Sequence, residues 1–439
     1  MKKALILSLT VNLISFAGFS QNIDKTKLDA YFDVLASNNR FMGSVAIAQG
    51  DKLIYSKSVG FTDVAQDLKA SENSKYRIGS ITKTFTAVLT LKAVEENKLN
   101  LNQTIDKWFP TIGNADKITI EHMLHHRSGL HNHVDEFVKS NRHTQPITKE
   151  EMIEVIIKGG NDFEPDTRMA YSNPNYILLT YILEKIYEKP FSQILEDKIV
   201  NPLGLKNTHM DGRINTSNGE SNSYTFLNES WVIAPELDVS QALGTGAMTS
   251  NPTDLLKFIH ALFSGKLISE NSLTIMKTIR DHFGIGLIQM PFYDKTGFGH
   301  TGGIDGFHSM FIYFPTGEIS FAYTSNGMNF IGNDIAIAAL RAAYNMPFEI
   351  PEFTTLEITD EELDKYLGVY SSKQLPLKMT ITKANGQLFV QGTGQPSFPL
   401  EATGKDKFEF KQAGVILEFN PSNKATTLKQ RGMEFIFER

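Results

Sequence analysis

The 439-residue chain contains no cysteine. That absence excludes disulfides, thiolate metal sites, a cysteine nucleophile and lipid attachment through an N-terminal cysteine. Stability must then come from packing, which this length allows. Positive charge is not in excess: the formal net charge is −6. Nucleic-acid binding, which draws on a basic patch, therefore has no support. Low-complexity blocks, internal repeats and long charge runs are missing. Beyond the N-terminal stretch no segment is long and apolar enough to span a membrane. The sequence has no Gly-x-Ser-x-Gly elbow, so an α/β-hydrolase triad is unsupported. The His-Glu-x-x-His pattern of zinc peptidases is absent too.

What is present begins with a targeting signal. Lys2 and Lys3 form a basic start, Ala4 to Ala17 is almost wholly apolar, and Gly18 and Ser20 stand at −3 and −1 of a cut before Gln21. Residues 1–20 are expected to be a signal peptide. The mature chain is expected to be exported, to the periplasm or outside the cell.

The remaining pattern divides in three. Residues 21–346 hold a helix (24–37), two strand-like runs joined at Gly50-Asp51-Lys52, and a long helical pattern from Thr84 to Glu96. Helices are expected next over 119–126, 148–158, 174–189, 191–199 and 252–263. Strands return at 283–290, 307–314 and 318–324, before a closing helix at 334–344. Strands at both ends bracketing helices imply an α+β fold, an antiparallel sheet flanked by helices with an all-helical lobe. Residues 347–360 read as a linker. Residues 361–439 carry only short strand patterns broken by turn signals, six of them distinct, and imply a small β-barrel or sandwich.

Three short motifs carry chemistry. Ser80-x-x-Lys83 opens the helical pattern, so both side chains lie on one face. A hydroxyl needs a nearby base to become a nucleophile, and a desolvated lysine can serve. Taken alone, Ser-x-x-Lys is a weak pattern, and Ser80 reads first as a helix N-cap; the motifs downstream reverse that reading. Tyr171-Ser172-Asn173 precedes the helix that starts at Pro174. His300-Thr301-Gly302-Gly303 leads through one turn into the apolar run at Phe307.

In this order the motifs resemble those of the penicillin-recognising serine hydrolases, in particular the class C β-lactamase-like group with its D-Ala-D-Ala carboxypeptidase, D-aminopeptidase and esterase relatives. Further segments extend the likeness: Ile120 to Arg127 ending in Ser128-Gly129-Leu130, Pro202-Leu203-Gly204, and Gly246 to Ser250. The resemblance implies an acyl-enzyme on Ser80, with Lys83 and Tyr171 sharing the proton transfers. It implies Asn173, His300, Thr301 and Gly302 as substrate-binding residues and the backbone N–H groups of Ser80 and Gly303 as the oxyanion hole. It also implies a small-molecule or peptide substrate, no cofactor, and a lipocalin-like appended β domain. A sensor or binding module that acylates without efficient turnover is the alternative.

The third motif has a rival in Lys295-Thr296-Gly297, the form found in true β-lactamases. His300 fits the spacing to the following strand better. A histidine there is only partly charged near pH 7, which weakens the case for β-lactam hydrolysis. His122, His125, His126, His131 and His133 crowd one segment, but no acidic partner stands at a metal-site spacing, so no metal is expected.

Overall fold

The computed structural model describes residues 23–439 apart from 211, 354–357, 385, 411–412 and 431–432. The expected signal peptide, part of the expected linker and Asn385 of the Asn385-Gly386 turn lie outside the described residues.

The organising element is a six-stranded antiparallel sheet. Its order is Lys52–Val59, Phe41–Gln49, Ile319–Met328, Phe307–Phe314, Lys295–Ile304 and Ile288–Phe292. Phe41–Gln49 pairs with Ile319–Met328, so chain segments nearly 300 residues apart meet inside the sheet. Side chains alternate between faces along each strand. Val45, Ile47, Ile312, Phe314 and Phe321 pack on one face against helices Lys25–Ser37 and Gly332–Ala343. Ala46, Ala48, Phe311, Tyr313 and Ala322 face the other way, toward helices Thr82–Glu95, Asn173–Tyr187 and Pro252–Phe263. Small alanines on that second face let the central helices approach the sheet closely.

Helix starts follow the side-chain chemistry. Thr148 and Glu151 form a reciprocal capping box before Lys149–Gly159, and Asn251 accepts the Asp254 N–H before Pro252–Phe263. Caps of this kind are worth about 1 kcal/mol each. Thr82–Glu95 is buried on nearly every side, and its threonines are satisfied by neighbouring backbone. Thr84 donates to the Gly286 carbonyl at 2.7 Å and Thr86 to the Gly244 carbonyl at 2.7 Å. A helix buried all round needs such partners wherever it carries hydroxyls.

One expectation about strands is corrected and one strand is added. The strand expected over 283–290 begins only at Ile288. Gly286 has φ +62, and a Cβ there would stand 2.7 Å from the Ala87 Cβ and 3.0 Å from the Lys83 carbonyl oxygen. The chain bends at Gly286 to pass the central helix, and Phe283 pairs only in isolated bridges with Arg280 and Ile288. Conversely, Lys295–Ile304 is a full strand although four of its ten residues are glycine. Its glycines mark close backbone approach. A Cβ on Gly299 would lie 2.0 Å from the Phe311 carbonyl oxygen, and one on Gly302 would lie 2.0 Å from that of Ile78.

Gly368–Ser371 through Met433–Glu438 form a closed eight-stranded barrel in sequential order. Its strands Gly368–Ser371 and Ser397–Gly404 are additional to the six read in the sequence. Tyr370, Ile381, Leu388, Leu400, Phe408, Leu417 and Phe437 fill its interior. An eight-stranded barrel is just wide enough for that. The barrel meets the sheet domain through Arg40, whose two terminal nitrogens donate to the Glu401 carboxylate at 3.0 and 2.9 Å. Among the described residues no helix is long and apolar enough to cross a membrane.

Candidate active site

Ser80 lies in the 3-10 turn Gly79–Ile81 that leads into Thr82–Glu95. Its side chain makes no capping hydrogen bond at either helix start. The N-cap reading of Ser80 therefore has no structural basis; the hydroxyl faces Lys83 instead. Lys83 Nζ stands 3.1 Å from Ser80 Oγ, 2.8 Å from Asn173 Oδ1 and 2.9 Å from the Thr245 carbonyl oxygen. Lys83 is 0% exposed. Burial holds its amine well below the usual lysine range, with no carboxylate acting against that.

The contact set agrees with a neutral amine. Asn173 Oδ1 and the Thr245 carbonyl only accept, so they take two N–H groups. A hydroxyl can also donate. The third contact, Ser80 Oγ, can accept an N–H from Lys83 or donate its O–H to the one lone pair that an uncharged amine carries.

Tyr171 sits beside this pair. Lys83 Nζ lies 4.9 Å from the centre of its ring. Among the described residues its hydroxyl has no partner within hydrogen-bonding distance. Burial raises its pKa, and the nearby Ser80 offsets only part of that rise. The phenol thus keeps its proton at neutral pH, the opposite of what a phenolate base requires.

His300 projects from Lys295–Ile304 opposite Phe311, on the sheet face that meets the central helices. It is 3% exposed. Its Nδ1 is 2.6 Å from the Thr301 carbonyl oxygen, which fixes the proton on Nδ1 and leaves Nε2 as an acceptor. Burial pushes its pKa down to about 4, against the opposing hydrogen bond to the Thr301 carbonyl. His300 is therefore neutral at pH 7, where the sequence suggested partial charge. Thr301 is exposed. Lys295 stands an odd number of residues away in an unbroken strand, hence on the opposite face. There it pairs with Asp294 and lies 5.2 Å from the Tyr344 ring centre.

The strand passes tightly against the serine turn. Ser309 Oγ donates to the Ile78 carbonyl at 2.8 Å, and a Cβ on Gly79 would lie 2.6 Å from Gly303 N. The Gly303 backbone is thereby set next to Gly79 and Ser80, as an oxyanion pocket built from Ser80 and Gly303 requires. Gly79 has φ +49, and a side chain there would collide with Gly303. Both reasons demand glycine.

Two further residues belong to this surrounding, and the motifs did not single them out. His126 stacks on Tyr171 with ring centres 4.2 Å apart, and its Nδ1 accepts the Ser172 N–H at 3.2 Å. Burial holds it well below the usual histidine range. In the sequence it was one of five crowded histidines. Those five diverge in space: His122 accepts from Thr119 N, His131 meets Asp162 and Glu136, and His133 packs on Phe137. Asn132 touches Asn173, and nothing in its sequence context distinguished it.

The buried histidines have a consequence for stability. His300 and His133 are both pushed down to about 4 by burial, and His125 and His126 are lowered as well. Unfolded histidines titrate near 6.5. Between about 4 and 6.5 the unfolded state therefore binds more protons, and stability falls as pH falls. Each such histidine contributes up to about 1.4 kcal/mol per pH unit in that window. His122 and His308 are lowered by burial too, and Asp305, raised by burial to about 6, acts in the reverse sense with Asp334 and His131, three groups against six histidines. Melting temperature is expected to drop steadily from pH 6.5 to 4.5 as these histidines are protonated in the unfolded chain. A flat profile down to pH 4.5 would contradict the neutral assignments.

Comparison with known proteins places this geometry in context. A family model described as Beta-lactamase matches residues 28–345. Penicillin-binding protein 4* of Bacillus subtilis (strain 168) is 24% identical over 421 residues, covering 89% of this chain and 93% of that protein. Teichoic acid D-alanine hydrolase of Staphylococcus aureus (strain MRSA252) is 26% identical over 243 residues, covering 55% of this chain and 58% of that protein. The structure of a D-amino acid amidase from Ochrobactrum anthropi SV3 superposes with a TM-score of 0.64 at 26% identity, covering 72% of this chain and 97% of that one.

Proposed function

The chain belongs to the beta-lactamase family, and from that premise we propose that it is an exported serine hydrolase that cleaves ester or amide bonds through an acyl-enzyme on Ser80. The observation that carries this reading is the contact set of Lys83: two acceptor-only partners and one hydroxyl, in full burial. In the acylation step Lys83 takes the Ser80 proton as Oγ attacks the carbonyl carbon. The oxygen charge that develops is met by the Ser80 and Gly303 N–H groups. One such donor is typically worth about 3–4 kcal/mol. The leaving group departs with a proton, supplied by Lys83 directly or through the Tyr171 hydroxyl, which burial keeps protonated. Water then repeats the sequence on the acyl-enzyme.

The site also supports a choice among substrates. Neutral His300 offers an acceptor nitrogen and no fixed positive charge. A substrate carboxylate gains nothing there, whereas an N–H or ammonium group does. This favours D-amino-acid esters and amides with a free amino group over peptides ending in a carboxylate and over β-lactams. The names of two relatives, a teichoic acid D-alanine hydrolase and a D-amino acid amidase, point the same way.

The test is a panel of a D-alanyl p-nitroanilide, a p-nitrophenyl ester, a D-Ala-D-Ala peptide and a chromogenic cephalosporin, with Ser80 adducts read by mass spectrometry. The ester and the anilide, which carry no carboxylate, are expected to exceed the carboxylate-bearing pair in kcat/KM by about 10-fold or more, the order of one lost ionic contact. Preference for the cephalosporin would refute the charge argument. A stable adduct without product from any substrate would mark an acylating binding module in place of an enzyme.

A further inference from the structure

Asn132 lies in the loop before helix Val134–Lys139, half-buried. Its Oδ1 stands 3.2 Å from the backbone nitrogen of Asn173 and 3.2 Å from Asn173 Nδ2. The backbone nitrogen can only donate, so the Asn132 atom facing it must be the oxygen. That oxygen can only accept, so the Asn173 atom beside it must be the amide nitrogen. The remaining end of the Asn173 amide, Oδ1, is then the one that faces Lys83 Nζ at 2.8 Å. One unambiguous backbone donor thus fixes the orientation of two amides in turn.

We infer that Asn132 is a positioning residue: by holding the Asn173 amide with its oxygen toward Lys83, it reserves the Lys83 lone pair for the Ser80 proton. The inference rests on the reading of Lys83 as the base for Ser80. Its chemical content is a competition. A neutral amine has one lone pair. Were the Asn173 amide reversed, its NH2 would face Nζ and donate into that lone pair, displacing the Ser80 O–H. Thr245 offers no correction, because its carbonyl accepts in either case. Asn173 cannot hold itself: an amide in contact with Lys83 alone could present either end. The second contact of Asn132, on the Asn173 backbone, prevents the pair from rotating together.

The experiment compares Asn132→Leu and Asn132→Asp in the full chain, using the rate at which a fluorophosphonate probe labels Ser80. Leucine removes the acceptor at similar size. Its maximal labelling rate is expected to fall at least about 10-fold, part of the roughly 10²–10⁴-fold that a positioned base supplies, with the probe's half-saturating concentration unchanged. Aspartate keeps the acceptor. It should restore the maximal rate at high pH to within about threefold, on the scale of minor packing effects. It should also move the acid limb of the rate profile upward. Lys83 is surrounded by Ser80, Asn173, Tyr171, Tyr176, His126 and His300, with no carboxylate in contact. A carboxylate one residue removed would hold its proton more tightly.

A wild-type maximal rate in Asn132→Leu, or a change confined to half-saturation, would overturn the inference. Should Asn132→Leu not fold, the aspartate variant decides alone, and an unshifted profile would count against it. Ser80→Ala labelled in parallel separates the two claims. If that variant is still labelled at the wild-type rate, the nucleophile assignment has failed, and not the role of Asn132.

Discussion

Ser80→Ala is expected to lower turnover of every ester and amide substrate by about 10⁴-fold or more, the scale at which nucleophile removal acts in serine hydrolases. The expectation is clean because the substitution disturbs little else. Ser80 Oγ caps no helix; it contacts Lys83 and lies beside the Tyr171 hydroxyl. Alanine suits the turn sterically, so the melting temperature should stay within a few degrees of wild type, the range of a mild surface change. Substrate affinity should survive, since the Gly303 N–H and the cleft walls are unaltered. A substrate complex that binds and does not react is the result that separates a nucleophile from a binding residue. Retained turnover with full folding would end the acyl-enzyme reading.

How far this site could be read from the chain depends on which residues communicate through local geometry. Ser80 and Lys83 are three apart on a helix, and such spacing is visible in any sequence. Tyr171 and Asn173 stand two apart at a helix start marked by Pro174, again a local signal. The choice between His300 and Lys295 was also encoded locally. The two differ by an odd number of residues, so in one continuous strand they must face opposite ways. What hid that argument was the strand itself, because glycines at 297, 299, 302 and 303 suppress strand propensity. Their meaning lies in Ile78 and Phe311, which approach from elsewhere in the chain. Gly286 misled in the reverse direction: it ends a strand-like run to accommodate Ala87 and Lys83. His126 and Asn132 could not be found. His126 enters a left-handed backbone conformation, φ +56, to place its ring under Tyr171, and no spacing rule forecasts that. Asn132 acts by meeting a residue 41 positions later. The barrel was legible as a strand-rich unit, but Ser397–Gly404 escaped because Pro399 and its polar neighbours mute the alternation.

Lys83→Met and Lys83→Arg together are expected to separate base from counter-charge. Both should reduce kcat/KM by about 10³-fold or more, within the range for a general base and its nucleophile. Methionine is close to lysine in length and lacks both lone-pair basicity and charge. Arginine keeps a permanent charge and cannot accept a proton under any working condition. If Lys83 served only to hold positive charge beside Tyr171 and make a phenolate, Lys83→Arg would retain much of the activity. Its loss in both variants identifies the neutral amine as the proton acceptor. Substantial activity in Lys83→Arg, with the fold intact by circular dichroism, would instead move the base to Tyr171. A second, independent readout comes from stability. The folded-state pKa of Lys83 lies well below that of an unfolded lysine. Between those two values the unfolded chain carries a proton that the folded chain does not, so stability rises with pH. Lysine burial thus costs the fold most at the acid end of that window and nothing above the unfolded pKa. Lys83→Met removes this dependence while leaving Asn173 Oδ1 and the Thr245 carbonyl without a donor. Those orphaned acceptors cost about 1–3 kcal/mol each at any pH. The variant should therefore show a flatter rise of melting temperature from pH 7 to 9 than the wild type. An identical slope in the two proteins would mean that Lys83 is charged in the folded state, and the base would have to be sought elsewhere.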